Sequence, residues 1–507
     1  MQLTWEPRLT ELSGKRRTLI LVICCSSLFI VGLDSTIVNV ALPSIGRDLH
    51  AGVSGLQWVV AAYTLVLASL LMLSGATADR IGRRRVFLAG LAVFTAGSGL
   101  CSLAPSLGWL IVFRMMQAVG GSMLNPVAMS IITNTFTERA ERARAIGLWG
   151  ATYGLSMAMG PVAGGLLVDT VGWRGAFWVN IPVGLAAIAA TVRFVPESRA
   201  PRARRPDPVG QTLIVVLLGS LTYAIIEGPS RGWGSALILG LFVLAAAALA
   251  ALVPWESRRA EPVLDPRFFR SAPFAGAVLT AISTFAAIGG FLFLSTLYLQ
   301  DVRGMPALWA GLHLLPMAAV MAVSSIMSGR ILAKRGARLP LMAGGAALAV
   351  GSLLVSRIGI DTATLAVLGA FAVVGMGSGL VNAPITQAAV SGMPPTQAGV
   401  ASGTASTSRQ VGQSLGVAVT GSILAGSLHG PMRTGFIDAS HGAWLVLAGC
   451  GVVVFVLGII TTTRWARGTV TRTAALFEVA GTRREADEVG AAGPAASGED
   501  EVKAAAG

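Results

Sequence analysis

The chain has 507 residues, of which 54% are hydrophobic and 12% charged, and its formal net charge is +14. Soluble globular proteins carry about 25% charged residues, so this composition excludes an ordinary soluble fold and indicates a membrane protein. A basic chain could bind nucleic acid, but here the basic residues form short clusters between long apolar segments, as in loops beside a membrane. The four cysteines all lie inside apolar segments and predict neither a disulfide framework nor a metal site.

A helix needs about 20 mostly apolar residues to cross the hydrocarbon core of a membrane. Windows of that length predict fourteen spans. The first follows a basic cluster at Lys15, but its apolar run is too long for a secretory signal, so we interpret it as a transmembrane helix. The predicted spans are 18–42, 56–77, 86–104, 107–131, 145–168, 175–195, 209–228, 235–254, 273–299, 307–328, 339–356, 362–389, 405–426 and 442–463.

The distribution of Lys and Arg predicts the orientation of these spans. Thirty of the 38 basic residues fall on one side together with both termini, six fall on the other side, and Arg114 and Arg409 fall within spans. Because cytoplasmic loops carry the excess of positive charge, we predict that both termini are cytoplasmic. The segment after the last span is polar and rich in Ala and Gly, which predicts disorder.

Sequence matches at a nearly constant offset indicate an internal duplication. Gly75 and Gly329 open similar loops 254 residues apart, and Asn125 and Asn382 end similar segments 257 residues apart. This offset relates the second, fourth and fifth spans to the tenth, twelfth and thirteenth, as in transporters built from two parallel repeats. The predicted domains are a cytoplasmic N-terminus (1–17), a six-helix bundle (18–195), two inserted helices (209–254), a second six-helix bundle (273–463) and a disordered cytoplasmic tail (464–507).

The loop after the second span combines glycines with clustered charges. It reads Gly75-Ala-Thr-Ala-Asp79-Arg80-Ile-Gly82-Arg83-Arg84-Arg85. Glycine permits a sharp turn and a close approach of helices, and Asp79 can pair with arginine or interact with a helix N-terminus. A loop that only fixes topology would need neither the acid nor the two glycines, so a functional role is favoured.

Asp34 is the only acid deep within a predicted span. A charge at that depth costs at least about 2.5 kcal/mol, so it is a functional candidate. With a rise of about 1.5 Å per residue, Asp34 and Arg114 lie at similar depth, roughly 6 to 7 Å from the middle of their spans in the outer half. We expect a reversible pair, in which protonation of Asp34 frees Arg114 for Gln117 or substrate. The alternative is a static structural ion pair.

The fifth span carries small residues at near-helical spacing. Small residues allow another helix to pack closely, and a proline bends the helix by removing one backbone hydrogen bond. A functional face is favoured over ordinary helix packing. The face consists of Gly150, Gly154, Ala158, Pro161 and Gly165, and the same segment also contains Gly160 and Gly164.

Several polar side chains within or beside the spans are candidates for lining a substrate cavity. Intramembrane amides either bind helices together or face a cavity, and the sequence does not separate the two roles. Glu227 is either an interfacial loop acid or a residue that attracts cations, and we expect Arg409 to extend to the cytoplasmic surface rather than act in gating against Asp79. The candidates are Asn39, Gln57, Gln117, Asn125, Asn180, Glu227 and Asn382.

These motifs resemble the major facilitator superfamily, in particular its fourteen-helix drug:proton antiporter family. The resemblance runs from about residue 18 to 463 and is carried by the loop described above and by segments 33–43, 114–121, 150–165 and 173–182. It implies an all-α membrane protein with the major facilitator fold, two six-helix bundles plus two central helices. It also implies that the small-residue face of the fifth span packs against the other half and seals the path in one state. The resemblance further implies that the loop after the second span is a gating loop. Its residues are Gly75, Asp79, Arg80, Gly82 and Arg83.

We therefore predict a proton-coupled antiporter that exports small amphipathic molecules, such as antibiotics, drugs or dyes, by alternating access. The expected partners are a small-molecule substrate, protons and the lipid bilayer, without nucleic acid, cofactor or metal. We expect a monomer in the plasma membrane, specifically a bacterial inner membrane. No enzyme motif is present in the sequence. The alternatives are a proton-coupled transporter of one metabolite, including an importer, and, less favoured, a channel or a non-transporting receptor.

Overall fold

The computed structural model describes residues 13–200, 207–259, 261–391 and 398–491, and in these ranges the regular structure is helical. A single 3-10 turn, Pro266–Arg270, and a π-helical turn, Tyr298–Val302, accompany the α-helices. The α-helices are α1 (Gly14–Asp48), α2 (Val53–Ile81), α3 (Arg83–Ser102), α4 (Leu107–Thr135), α5 (Arg139–Val171), α6 (Gly175–Trp178), α7 (Asn180–Phe194), α8 (Pro208–Arg231), α9 (Ala236–Arg258), α10 (Ala272–Leu297), α11 (Ala307–Arg335), α12 (Arg338–Val355), α13 (Thr364–Val390), α14 (Ala398–Ser427), α15 (Met432–Ile460) and α16 (Arg464–Ala491).

Thirteen helical segments within the described ranges are long and apolar enough to cross a membrane, with α6 and α7 counted together as one segment. The predicted thirteenth span corresponds to α14, a continuous helix of 30 residues that is not among the thirteen. Its serines, threonines, glutamines and Arg409 lower its mean hydropathy. The tail was predicted to be disordered from residue 464, but α16 covers its first 28 residues. Residues 492–507 lie outside the described residues.

Helix boundaries follow local sequence signals. The α5 helix ends at Gly172, whose φ of 84° suits glycine because it has no Cβ. The α8 helix begins after Asp207, whose carboxylate accepts a 3.0 Å hydrogen bond from the Gly210 amide, and Pro208 occupies the first helical position.

Two groups of helices repeat the same packing pattern. In the first helix group (α1–α7), α1 packs on α5, α2 on α4, and α3 on α4 and α7. In the second helix group (α10–α15), α10 packs on α14, α11 on α13, and α12 on α13 and α15. The contacts between the groups repeat as well, since α2 packs on α14 and α5 on α11. This is the relation that the sequence offset predicts.

The ends of the helices define two ends of the bundle. At the basic end, the starts of α1, α3 and α5 lie close to the end of α7: Arg16 donates to the Phe194 carbonyl and Arg17 pairs with Glu141. At the opposite end, α1 finishes beside α6, where Asp48 accepts hydrogen bonds from Trp173 and Arg174. The arginine-rich loop between α2 and α3 lies at the basic end.

The two groups are joined towards the opposite end. One hydrophobic cluster there includes buried residues of both groups, such as Ile37 and Val40 on α1 with Phe291 and Leu297 on α10. A second cluster, nearer the basic end, contains residues of the first group alone. The α8 helix packs on α2 and α14, beside the seam between the groups, and α9 packs mainly on α8.

Candidate functional site

Asp34 and Arg114 form a buried ion pair in the first helix group. Nη1 of Arg114 lies 2.6 Å from Oδ2 of Asp34, and the side chains are 2% and 0% exposed. The other carboxylate oxygen, Oδ1, accepts hydrogen bonds from Gln117 Nε2 at 2.9 Å and from Asn180 Nδ2 at 3.0 Å. Helices α1, α4 and α7 therefore converge on one carboxylate.

The arginine is held from several directions. Its Nη1 also donates to Gln117 Oε1 at 2.8 Å, and its Nε donates to the Val59 carbonyl at 3.3 Å. Its guanidinium carbon lies 4.0 Å from the centroid of the Tyr63 ring, a cation–π distance. Because acceptors on α2 and α4 also fix the guanidinium, its position does not depend on Asp34 alone.

A further layer orients Asn180. Its Nδ2 also donates to Ser98 Oγ at 3.1 Å, and Ser98 in turn donates to the Phe177 carbonyl at 2.8 Å. This chain runs from α3 through the α6–α7 junction to the carboxylate. Ser98, Tyr63 and the Val59 carbonyl were not singled out from the sequence, because a lone hydroxyl or backbone carbonyl in an apolar helix carries no spacing signal.

This cluster can change charge without losing all its hydrogen bonds. The Asp34 carboxylate accepts three hydrogen bonds, one of them charge-assisted from the Arg114 guanidinium. A proton on Asp34 would remove its negative charge and leave Arg114 as an unbalanced charge in a dry environment, which is unfavourable. Gain or loss of one proton therefore alters the energetic balance among α1, α4 and α7.

The loop between α2 and α3 is built around Asp79 and Gly82. Asp79 Oδ1 accepts hydrogen bonds from Arg83 Nη2 at 2.8 Å and Nε at 3.1 Å. Gly82 has a φ of 127°, a conformation that L side chains rarely adopt. Glu197, which sequence reasoning missed, accepts from the Arg84 amide at 3.1 Å at the start of α3. The loop is thus attached to the segment after α7.

The small-residue face of α5 divides into two parts. Near the basic end, a Cβ on Gly150 or Gly154 would meet nothing within 4 Å. Farther along the helix, a Cβ on Gly164 would lie 2.7 Å from Ile37 Cγ1 of α1, and one on Gly165 would lie 2.5 Å from the Ala307 carbonyl oxygen of α11. Only the second part touches the other group. Gly160 packs on Thr36 of α1.

The contact between α5 and α11 continues through backbone and side-chain bonds. Gly311 of α11 sits against the carbonyl of Pro161 with no room for a Cβ. One turn beyond Gly165, the Asp169 carboxylate accepts hydrogen bonds from the amides of Ala307 at 3.0 Å and Leu308 at 2.9 Å. An acid at the first turn of a helix interacts favourably with its dipole. Asp169 is a connecting residue that the sequence analysis did not identify.

Other bonds between the groups lie in the same half of the bundle. Gln300 Nε2 donates to the Val40 carbonyl at 2.8 Å, and Arg47 pairs with Asp301 at 3.2 Å. Gln57 Nε2 donates to the carbonyls of residues 417 and 418 at 3.2 and 2.7 Å. Gln57, a candidate cavity residue, therefore joins α2 to α14.

The remaining cavity candidates occupy different environments. Asn39 is buried on α1 and donates to the Ser35 carbonyl at 3.1 Å. Asn125 on α4 has a buried Oδ1 without a hydrogen-bond partner, and Asn382 on α13 is exposed. Glu227 accepts from Trp58 Nε1 at 2.9 Å, linking α8 to α2. Gln117 and Asn180 belong to the Asp34 cluster. The predicted residues thus form no single cavity lining.

Two repeated groups of membrane-crossing helices, joined along a seam and containing a buried acid–arginine pair, define an α-helical membrane transporter. The chain belongs to the major facilitator superfamily, whose family model matches residues 24–417. It lies within the drug-efflux family of that superfamily. It is a multi-pass protein of the bacterial inner membrane and a transporter, not an enzyme.

Named relatives cover most of the chain. It is 40% identical over 412 residues to the multidrug resistance protein Stp of Mycobacterium tuberculosis, covering 81% of this chain and 76% of that protein. It is 38% identical to the tetracenomycin C resistance and export protein of Streptomyces glaucescens, over 78% of this chain and 73% of that protein. It is 35% identical to the methylenomycin A resistance protein of Streptomyces coelicolor, over 84% of this chain and 88% of that protein.

Solved structures share the fold at low sequence identity. A bacterial homologue of the human lysosomal transporter Spinster, in an inward-facing and unoccupied conformation, matches with a TM-score of 0.61 and 18% identity, covering 91% of this chain and 98% of that chain. The POT family transporter PepTSo matches with a TM-score of 0.66 and 15% identity, covering 90% of this chain and 99% of that chain.

Proposed function

We propose that the protein is a proton-coupled antiporter that exports small amphipathic molecules by alternating access. The observation that carries this proposal is the buried cluster around Asp34, a titratable group held by Arg114, Gln117 and Asn180. The names of the relatives, which refer to multidrug resistance, antibiotic resistance or export, support export as the direction.

The proposed topology has fourteen crossing helices, with α14 in addition to the thirteen apolar segments and α6 with α7 as one crossing. The basic end is cytoplasmic, and so are both termini. The charge distribution supports this orientation, since the topology predicted from the sequence assigns 30 of the 38 Lys and Arg residues to that side. The opposite end, where the groups are joined, then faces outward.

In this orientation the conformation is closed outside and open to the cytoplasm. The described hydrogen bonds and ion pairs between the two groups lie towards the outer end, including Asp169 on α11 and Gln300 on α1. Towards the cytoplasmic end, glycines of the seam helices, Gly150 on α5 and Gly403 on α14, face open space. Substrate enters this vestibule from the cytoplasm.

The proposed cycle uses one proton site and one substrate path. In the inward-open state Asp34 is ionised and paired with Arg114. Substrate binding favours closure at the basic end and opening at the outer end. Protonation of Asp34 from outside then weakens the pair, favours substrate release and permits the return. Proton release to the cytoplasm restores the ion pair.

The direct test is transport in inverted membrane vesicles, whose cytoplasmic face is outside. A panel of fluorescent amphiphiles of different charge, including ethidium, is offered with an acidic vesicle interior. We expect accumulation of at least one dye against its gradient, without ATP, and its abolition by a protonophore. Dye movement that only follows its own gradient, as through a channel, would contradict the proposal.

A further inference from the structure

Arg409, like Arg114, falls within a predicted span, and it lies in the seam between the helix groups. It is the twelfth residue of α14, about 16 Å along the helix from its start at the basic end. Its Nη2 donates to Thr386 Oγ1 of α13 at 2.7 Å, and its guanidinium carbon lies 5.6 Å from the Phe285 ring centroid of α10. From the sequence we expected this side chain to extend to the cytoplasmic surface; in the structure it bonds to Thr386 of α13 and lies beside Phe285 of α10.

The charge of Arg409 has no acidic counterpart among the described residues. Arg114 is neutralised by Asp34, whereas the described ion pairs include none with Arg409. Both of its named neighbours, a hydroxyl and an aromatic ring, are uncharged. Its Nε is buried and lacks a hydrogen-bond acceptor. An uncompensated charge at membrane depth is costly, and such residues face a cavity or a substrate path.

The position of Arg409 places it on the substrate path. The residue is partly exposed, although it lies well inside the helix bundle. The glycines nearby on both sides of the seam, Gly154 and Gly403, leave open space. The guanidinium is therefore accessible from the same vestibule that substrate enters.

The chemistry around Arg409 selects a particular kind of ligand. A guanidinium presents a planar fork of donors that matches a carboxylate, and such charge-assisted bonds are roughly twice as strong as neutral ones. Phe285 provides an apolar aromatic surface beside it, and the exposed amides Asn382 and Gln387 lie on the neighbouring helix. An amphipathic molecule with one acidic group complements this surface.

We propose that Arg409 is a substrate-binding cation, and that the preferred substrates carry a carboxylate or similarly compact anionic group on an apolar, aromatic body. This deepens the proposed export function and rests on it. It also narrows the class of small amphipathic molecules expected from the sequence alone. In the structure Asp34 is fully enclosed by its own partners, so its charge is not presented to the vestibule.

The test compares two dyes that differ by one ester group. Tetramethylrhodamine carries a free carboxylate, and its methyl ester does not. Their binding to the full-length protein in lipid nanodiscs is followed by fluorescence anisotropy without any ion gradient. We expect wild type to bind the carboxylate dye more tightly. Arg409→Gln should weaken that binding at least about tenfold and leave the ester unchanged.

Two further variants keep this experiment decisive. Arg409→Lys retains the charge without the planar fork and should keep part of the preference. Arg357→Gln removes an exposed arginine at the opposite end and should change neither dye. Thermal unfolding of each variant shows whether it is folded.

The proposal is overturned if wild type does not prefer the carboxylate dye. It is also overturned if Arg409→Gln weakens both dyes equally, which would indicate a structural or gating role. Because no gradient is present, this result is independent of proton coupling. Loss of the carboxylate preference in Arg409→Gln, together with gradient-independent dye movement in vesicles, would support the binding site and contradict the antiport function.

Discussion

Nη1 of Arg114 lies 2.6 Å from Oδ2 of Asp34, joining α4 to α1 where neither side chain is in contact with water. Removal of one partner from a buried pair leaves an uncompensated charge, whereas exposed pairs contribute little. The pair is therefore a structural element of the first helix group.

Arg114→Ala should destabilise the protein by about 3–5 kcal/mol, because it leaves the Asp34 carboxylate buried without its cation. The measurement is unfolding of the purified protein in detergent. Arg174→Ala is the matched control, since Arg174 pairs with Asp48 at 2.7 Å but both side chains are well exposed. We expect that variant to lose no more than about 1 kcal/mol. Equal losses in both variants would show that burial does not determine the strength of the Asp34 pair.

Gly165→Ala should oppose closure of the outer end, because its Cβ would lie 2.5 Å from the Ala307 carbonyl oxygen. Gly154→Ala is the control on the same helix, where a Cβ meets nothing within 4 Å. Spin labels at the exposed positions Val171 and Ile360, in a background without the four native cysteines, report the separation of the groups. We expect longer distances in Gly165→Ala only. Identical distance distributions in the two variants would contradict a seal at Gly165.

Asp169→Ala should favour the outward-open state, since it removes two hydrogen bonds to the first turn of α11. Loss of a helix-capping acceptor costs about 0.5–2 kcal/mol, enough to shift a two-state equilibrium severalfold. A cysteine at Ala310, which is 1% exposed in the seal, should then react faster with a membrane-impermeant maleimide.

Asp48→Ala is the control for Asp169, because Asp48 lies at the same end but bonds within the first helix group. We expect its labelling rate at the Ala310 cysteine to match that of the parent. If Asp169→Ala and Asp48→Ala change the labelling rate equally, Asp169 does not specifically hold the outer end closed.

Gly82→Ala should destabilise the loop between α2 and α3 for two reasons. The φ of 127° is strained for any residue with a Cβ, at about 1–3 kcal/mol, and that Cβ would lie 2.7 Å from the Glu197 carboxyl carbon. Thermal unfolding should show the loss, and adding Glu197→Ala should recover only the steric part. Gly329→Ala, in open space near the end of α11, should be neutral. A neutral Gly82→Ala would rule out strain at this turn.

The sequence allowed the repeat and the Asp34–Arg114 relationship to be predicted because both depend on position along helices of known rise. An offset of 254 to 257 residues is visible without coordinates. Depth within a span is likewise obtained by counting residues, and this count places Asp34 and Arg114 at similar depth in the membrane.

Contacts between distant helices could not be predicted in the same way. The sequence did not decide whether Asn180 and Gln117 bind helices together or line a cavity. In the structure they donate to Asp34, because the rotation of α4 and α7 about their axes depends on packing. Helix packing also determines that one part of the small-residue face of α5 contacts α1, another contacts α11 and a third faces open space. Arg409 likewise remains deep because Thr386 and Phe285 hold it, and neither neighbour is adjacent in sequence.

The account depends most on Asp34 as the residue that couples protons to transport. Asp34→Asn keeps the size of the side chain and removes its charge and its titration. Dye transport by the purified protein in proteoliposomes separates substrate translocation from proton coupling. Counterflow without a proton gradient measures translocation, and accumulation driven by a proton gradient measures coupling. Asp301→Asn, which alters an acid in the Arg47 pair at the opposite end, is the control.

We expect Asp34→Asn to retain counterflow and to lose gradient-driven accumulation, while Asp301→Asn accumulates dye in response to the gradient. Gradient-driven accumulation by Asp34→Asn at the wild-type level would contradict the account and leave the Asp34–Arg114 pair as a static structural bond.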